Sequence, residues 1–136
     1  MKEFELIKEF FTAQPVSRKD VAMGIGDDCA LIRANDNKLI AVTTDTLVAG
    51  VHFPLNTPAR AIGHKAVAVN LSDIAAMGAE PAWISVAITL PEVDEEWLRE
   101  FTAGMFELTE YFNVQLIGGD TTQGPLSITI TAQGLV

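Results

Sequence analysis

Five aspartates stand inside otherwise apolar or glycine-rich stretches: Asp27 and Asp28 in GIGDDCAL, Asp45 in IAVTTDTL, Asp73 in VNLSDIAAMG and Asp120 in LIGGDTT. Solvating acids scatter along helix faces. These are flanked by Gly, Thr, Ile, Val and Ala, which pack closely or let the backbone approach another group. A carboxylate in such a setting is unfavourable unless a cation compensates it. Five of them drawn from four segments point to hard divalent cations bound through oxygen. Cations held this way are suited to gripping phosphates.

Other oxygen donors accompany the acids. Thr43-Thr44-Asp45-Thr46 reads as the end of a strand, where α/β sheets place their ligands. Thr43 and Asp45 then share a face, and the carbonyl and hydroxyl of Thr44 lie nearby, which together suit a hard cation. The alternative is strand propensity for the threonines and a turn-starting Asp. Asn70 and Asp73, three apart, share a helical face among apolar neighbours and need partners. A hydrogen-bond network would serve for one such residue; for an ionisable Asp, a cation is the sharper explanation. Gly118-Gly119-Asp120-Thr121-Thr122 repeats the chemistry of the Thr43 segment, its glycines permitting close approach to a phosphate, with a hairpin loop as the alternative.

Gly24-x-Gly26 opens like a phosphate loop, but Cys29 stands where a dinucleotide fingerprint needs glycine. A tight two-glycine turn is the competing explanation, and no P-loop sequence occurs. His52, just past Asp45, is placed to touch a substrate, whereas His64 reads as structural. No nucleophile–base set is apparent, and Cys29 reads as a small core residue.

Composition narrows the class. The 136 residues suit one domain, and an apolar fraction of 49% with only 20% charged residues suggests that some surface is covered by another domain or subunit. A net charge of −9 argues against nucleic acid. One cysteine allows neither a disulfide nor a cysteine-rich zinc site. The N-terminus MKEFELIKEFF is no signal peptide, and no run reaches the roughly 18 apolar residues of a membrane span, so the chain reads as soluble and cytoplasmic.

The elements that would position the acids are a short amphipathic helix over residues 3–13 with Phe4, Ile7, Phe10 and Phe11 on one face, then strands at 29–33 and 38–44 around an Asn35-Asp36-Asn37 turn. A long helix over 58–77 follows, with Thr57 as its cap, Pro58 in first position and Gly78 at its end. A strand at 82–90 alternates, Asp94 caps a helix to about Phe112, and strands at 114–117 and 126–132 complete the chain. The expected fold is α/β: a mixed sheet with helices packed on one face and a threonine-rich second face free to meet something. The chain ends at Val136 without a tail, as at a domain boundary.

Together, GIGDDCAL, TTDTLVAGVHF, KAVAVNLSDIAAMGAEPAW and LIGGDTTQGPLSIT resemble the thiamine-monophosphate kinases in order and spacing, over essentially all of the chain. That family belongs with aminoimidazole ribonucleotide synthetase and selenophosphate synthetase. The resemblance implies magnesium-dependent phosphoryl transfer from ATP to thiamine monophosphate, giving thiamine diphosphate and ADP. It implies Asp28, Thr43, Thr44, Asp45, Asp73 and Asp120 as magnesium ligands, Gly119 and Asp120 as ATP contacts, and His52 as a contact to thiamine monophosphate. No residue is implied as a general base. Asp27 also matches a motif position. The implied fold is the N-terminal domain of the aminoimidazole ribonucleotide synthetase-like architecture, its sheet pairing with a second copy in a homodimer. Residues 1–136 would be the ATP- and magnesium-binding domain, and the second domain that family members carry is absent. The competing expectations are a non-catalytic, dimerising nucleotide-binding module and another ATP-dependent synthetase of the superfamily. Cys29 follows the aspartates, which weighs against selenophosphate chemistry.

Overall fold

The computed structural model describes residues 2–33 and 37–136. Helix α1 (Lys2–Thr12) is followed by short strands β1 (Val21–Met23) and β2 (Leu31–Ile32), then by β3 (Ile40–Val48), α2 (Ala59–Ala76), β4 (Glu80–Leu90), α3 (Glu95–Phe112), β5 (Gln115–Gln123) and β6 (Ser127–Leu135). The main sheet has the order β3-β6-β4-β5, with β6 antiparallel to both neighbours and β4 parallel to β5. β1 and β2 form a separate antiparallel pair.

Alternation along β6 divides the sheet. Ile128, Ile130 and Ala132 are buried towards α2, together with Ile84, Val86 and Ile88 of β4. Between them, Ser127, Thr129 and Thr131 are only partly covered. On that open face, the hydroxyls of Thr44 and Thr131 lie 3.0 Å apart and those of Thr46 and Thr129 2.8 Å apart. Cross-strand pairs of this kind stabilise neighbouring strands.

The helices form one layer. α3 begins where the Asp94 carboxylate accepts from the N–H groups of Glu96 and Trp97, and ends at Asn113 in the left-handed conformation. α2 and α3 cross with their backbones touching. A Cβ at Gly63 would lie 2.1 Å from the Phe101 carbonyl oxygen, and one at Gly104 would lie 2.0 Å from that of Arg60. Ile7 and Phe11 of α1 join the same core.

Between α1 and β1 the chain is fastened to the edge of β5. The Gln14 side-chain amide donates to the Leu116 carbonyl and accepts from the Leu116 N–H, both at 2.7 Å. Arg18 grips the Asp20 carboxylate with two nitrogens, at 2.9 and 2.7 Å, and also donates to the Asn113 carbonyl. The Trp83 indole N–H donates to the same carboxylate at 3.0 Å. The Arg18 hydrogen bond is the main reason that Asp20 titrates below its ordinary value of 3.8; the Trp83 bond and the Arg18 charge add to it, and burial opposes.

Several expectations change. The strand expected at 29–33 shrinks to Leu31–Ile32 and pairs with β1, which had no clear sequence signal, while β3 pairs with β6. The Asn35-Asp36-Asn37 turn falls largely outside the described residues, as does the side chain of Phe4. Thr57 does not cap α2: its hydroxyl donates to the Pro54 carbonyl, and Pro58 occupies the cap without a side-chain bond. Gly78 does end the helix, at φ +70°. Cys29 is exposed, not a core residue. Asn70 and Asp73 do not share one environment: Asn70 is buried and Asp73 is exposed.

The glycine crossing predicts that Gly63→Ala and Gly104→Ala each destabilise by about 1–3 kcal/mol or more. Gly118→Ala, whose methyl would meet nothing within 4 Å, should melt near the parent in the same urea titration. The Asp20 anchor predicts a pH signature. Because its folded pKa is lowered, the advantage of the parent over Asp20→Asn is fully present above pH 3.8 and disappears as pH falls through the lowered value. At neutral pH, urea melts should place that advantage at about 1–3 kcal/mol.

Candidate cation and phosphate site

Asp45 lies in the interior of β3, not at its end, and pairs across the ladder with Ile130. Its half-buried side chain therefore shares the covered face with Thr43 and Leu47, under α2. There it meets Asp73. Its hydrogen bond to the Asp73 side chain is the largest cause of a raised Asp45 pKa, with burial and repulsion between the two carboxylates adding to it. Two carboxyl groups held this close are what a cation would relieve. Thr44 alternates onto the open face, where its hydroxyl is shared with Thr131. β3 is an edge strand, which leaves main-chain groups on its outer side available.

One turn earlier on α2, Asn70 is 1% exposed and donates from Nδ2 to the Ala66 carbonyl at 2.9 Å. Its Oδ1 is a buried side-chain atom without a hydrogen-bond partner. Carboxylate, hydroxyl and amide oxygens are the donors a magnesium-like cation takes, and the residues present fit such an ion.

After β3 the chain turns sharply, with the Gly50 N–H bonded to the Phe53 carbonyl at 2.8 Å. The exposed His52 accepts at Nδ1 from the Val48 N–H at 2.8 Å. That bond puts the neutral ring's proton on Nε2, which is left to donate to an anion. Lys65 of α2 donates to the His52 carbonyl at 2.7 Å and makes no ion pair among the described residues. Sequence reasoning missed Lys65, because only the folding of the loop back onto α2 distinguishes it from any helical lysine.

At the opposite edge, a cleft of about 810 Å³ is lined by Gly26, Asp27 and Asp28, by Gly118, Gly119 and Asp120 of β5, and by Lys8 of α1. Asp27 accepts from the Asp28 N–H at 2.8 Å, which folds the loop upon itself. Asp28 and Asp120 are exposed to the cleft. The GGD segment lies within β5 and is neither a strand end nor a hairpin loop. A Cβ at Gly119 would lie 1.8 Å from the Val86 carbonyl oxygen, so the close approach expected there is first to the neighbouring strand.

The five aspartates thus fall into two groups. Asp45 pairs with Ile130 on the covered face, whereas Asp120 pairs with Ala87, which faces the other way with Thr129. β3 and β5 are the two edges of the sheet, three ladder spacings or about 14 Å apart. Among the described residues, no three His, Cys, Asp or Glu side chains are grouped to hold a metal ion by themselves.

Comparisons with known proteins bear on this arrangement. The thiamine-monophosphate kinase of Escherichia coli K12 is 53% identical over 98% of the chain, which spans 41% of that relative's length. The crystal structure of thiamine-monophosphate kinase from Stenotrophomonas maltophilia K279a superposes with a TM-score of 0.83 at 48% identity, over 100% of this chain and 42% of that one. A structure described as AaThiL complexed with AMPPCP and TMP superposes at 0.72 with 30% identity, over 98% of this chain and 40% of that one. Residues 26–136 match the family described as AIR synthase related protein, N-terminal domain. The chain belongs to the AIR synthase related family, through its N-terminal domain.

Proposed function

We propose that the chain is the N-terminal, phosphate-handling domain of a magnesium-dependent kinase that phosphorylates thiamine monophosphate with ATP. The observation that carries this is the Asp45–Asp73 pair, formed between β3 and α2 in a domain 53% identical to a thiamine-monophosphate kinase. The AaThiL complex with AMPPCP and TMP supports the choice of both substrates. No helix of the described residues is long and apolar enough to cross a membrane. We place the enzyme in the cytoplasm.

Asp28, Thr43, Thr44, Asp45, Asp73 and Asp120 are the residues that would hold magnesium, and Gly119 and Asp120 would meet ATP. Bound magnesium would offset the charge of the phosphates and of the transition state. The chain's own part is positioning. His52, with its tautomer fixed by the Val48 N–H, presents Nε2–H to the acceptor phosphate, and Lys65 holds the loop that carries it. No side chain need remove a proton, because a phosphate monoester oxygen is already a nucleophile. The separation of Asp45 from Asp120 within one chain supports completion of the site by a second copy and by a second domain of the kind family members carry. The open threonine face of β3, β6 and β4 is the surface that a second copy would cover.

Two outcomes test this reading. In thermal melts across a magnesium series at constant ionic strength, the parent should gain about 1.4 kcal/mol at ten times the dissociation constant. Asp45→Asn removes the repulsion, so it should melt above the parent without metal and lose most of the magnesium response. Glu92→Gln, at an exposed turn position, should change neither. If Asp45→Asn melts lower and keeps the full response, Asp45 is not a cation ligand. Separately, sedimentation at micromolar concentration should show a dimer, and a monomer at every concentration would remove the paired-sheet assembly.

A further inference from the structure

We propose that Asn70 belongs to the cation site: its buried Oδ1 accepts a hydrogen bond from a water molecule of the magnesium ion held by Asp45 and Asp73. This rests on the cation-site reading above.

The starting point is an anomaly in α2. Asn70 is buried among Ala66, Val67, Leu71 and Ile74, where an apolar side chain would pack without leaving a polar atom unpaired. Asparagine is also a weaker helix former than leucine or alanine. Yet its Oδ1 is buried and has no partner. Unpaired buried acceptors are rare, and each calls for an explanation such as an enclosed water or ion.

The orientation of the carboxamide is constrained. Nδ2 donates to the Ala66 carbonyl, one turn towards the start of α2, at 2.9 Å. Flipping the amide would set two oxygens against each other, so Oδ1 occupies the branch that diverges from Ala66. Asp73 is the next residue along the same helical face, and it reaches Asp45 on β3. The orphan acceptor and Asp73 therefore lie within one turn of each other on α2, a helix that packs against the strand carrying Asp45.

The chemistry of the ion matches. Magnesium is held through one or two carboxylates and keeps several of its waters, whose protons need acceptors. Partners that bind such groups at one remove orient the site, and their loss typically weakens metal binding by about 10–100-fold. Asn70 thus acts as a positioning residue, its amide turned by Ala66 so that the oxygen, and not the nitrogen, is offered to the ion's waters.

The test uses the chain labelled with 13C at asparagine and aspartate carboxyl and carboxamide carbons, titrated with magnesium chloride. The Cγ resonance of Asn70 should move with those of Asp45 and Asp73 at one shared midpoint, while Asn113, at the far end of α3, should stay still. Asn70→Leu should melt no lower than the parent without metal and need about 10–100-fold more magnesium to reach its midpoint. The inference is overturned if Asp45 and Asp73 respond while Asn70 does not, or if Asn70→Leu keeps the parent's midpoint. If neither aspartate responds, the cation site itself fails, and the role of Asn70 with it. Should Asn70→Leu not fold, the titration of the parent decides alone.

Discussion

β6 is hydrogen-bonded on both sides, to β3 and to β4, and its side chains alternate between the helical layer and the open face. A slip of one residue against either neighbour would turn Ile128, Ile130 and Ala132 outward and bring threonines into the core. The register is therefore fixed by hydrophobic burial, and everything polar follows from it. Asp45 is carried to the covered face because its ladder partner is Ile130. Asp120 is carried to the opposite face because its partner on β4 is Ala87, which pairs with Thr129. The position of each acid is a by-product of where the apolar residues must go.

The same burial sets the electrostatics. With 18 acids against 9 bases, the chain has few cations to spare, and three of those described are committed elsewhere. Arg18 is taken by Asp20, Arg60 by Glu100 and Glu107, and Lys65 by a carbonyl. Asp45 and Asp73 are left to each other, and their closeness makes the second negative charge harder to form, which raises the Asp45 pKa.

Much of this was legible in the sequence wherever a local rule decides. Asp94 before an amphipathic run, Gly78 at the end of a long helical run, and the alternation at 126–132 each have a single inexpensive solution, and the structure adopts it. The acids of the candidate site also stood out in the sequence, because they lie among glycines and β-branched residues. What was lost depends on pairing over long distances. The partnership of β2 with β1 involves two residues of one and three of the other, too few for a periodic signal. The Thr43 and Gly118 segments carry turn-like residues, yet both are strand interior, since ladder bonds to β6 and β4 outweigh local preference. Cys29 looked apolar enough for the core, but its loop lies along the cleft.

The fastening of Gln14 to Leu116 has a consequence for how copies of this chain can meet. Its amide imitates a peptide group, occupying the N–H and the carbonyl that an incoming strand would need at the start of β5. A side chain that plugs a sheet edge in this way makes growth by strand addition compete with a bond already made. Endless edge-to-edge stacking is thereby disfavoured at that border, while the flat threonine surface stays unobstructed. One glutamine thus shields the start of β5 from pairing with a strand of another chain.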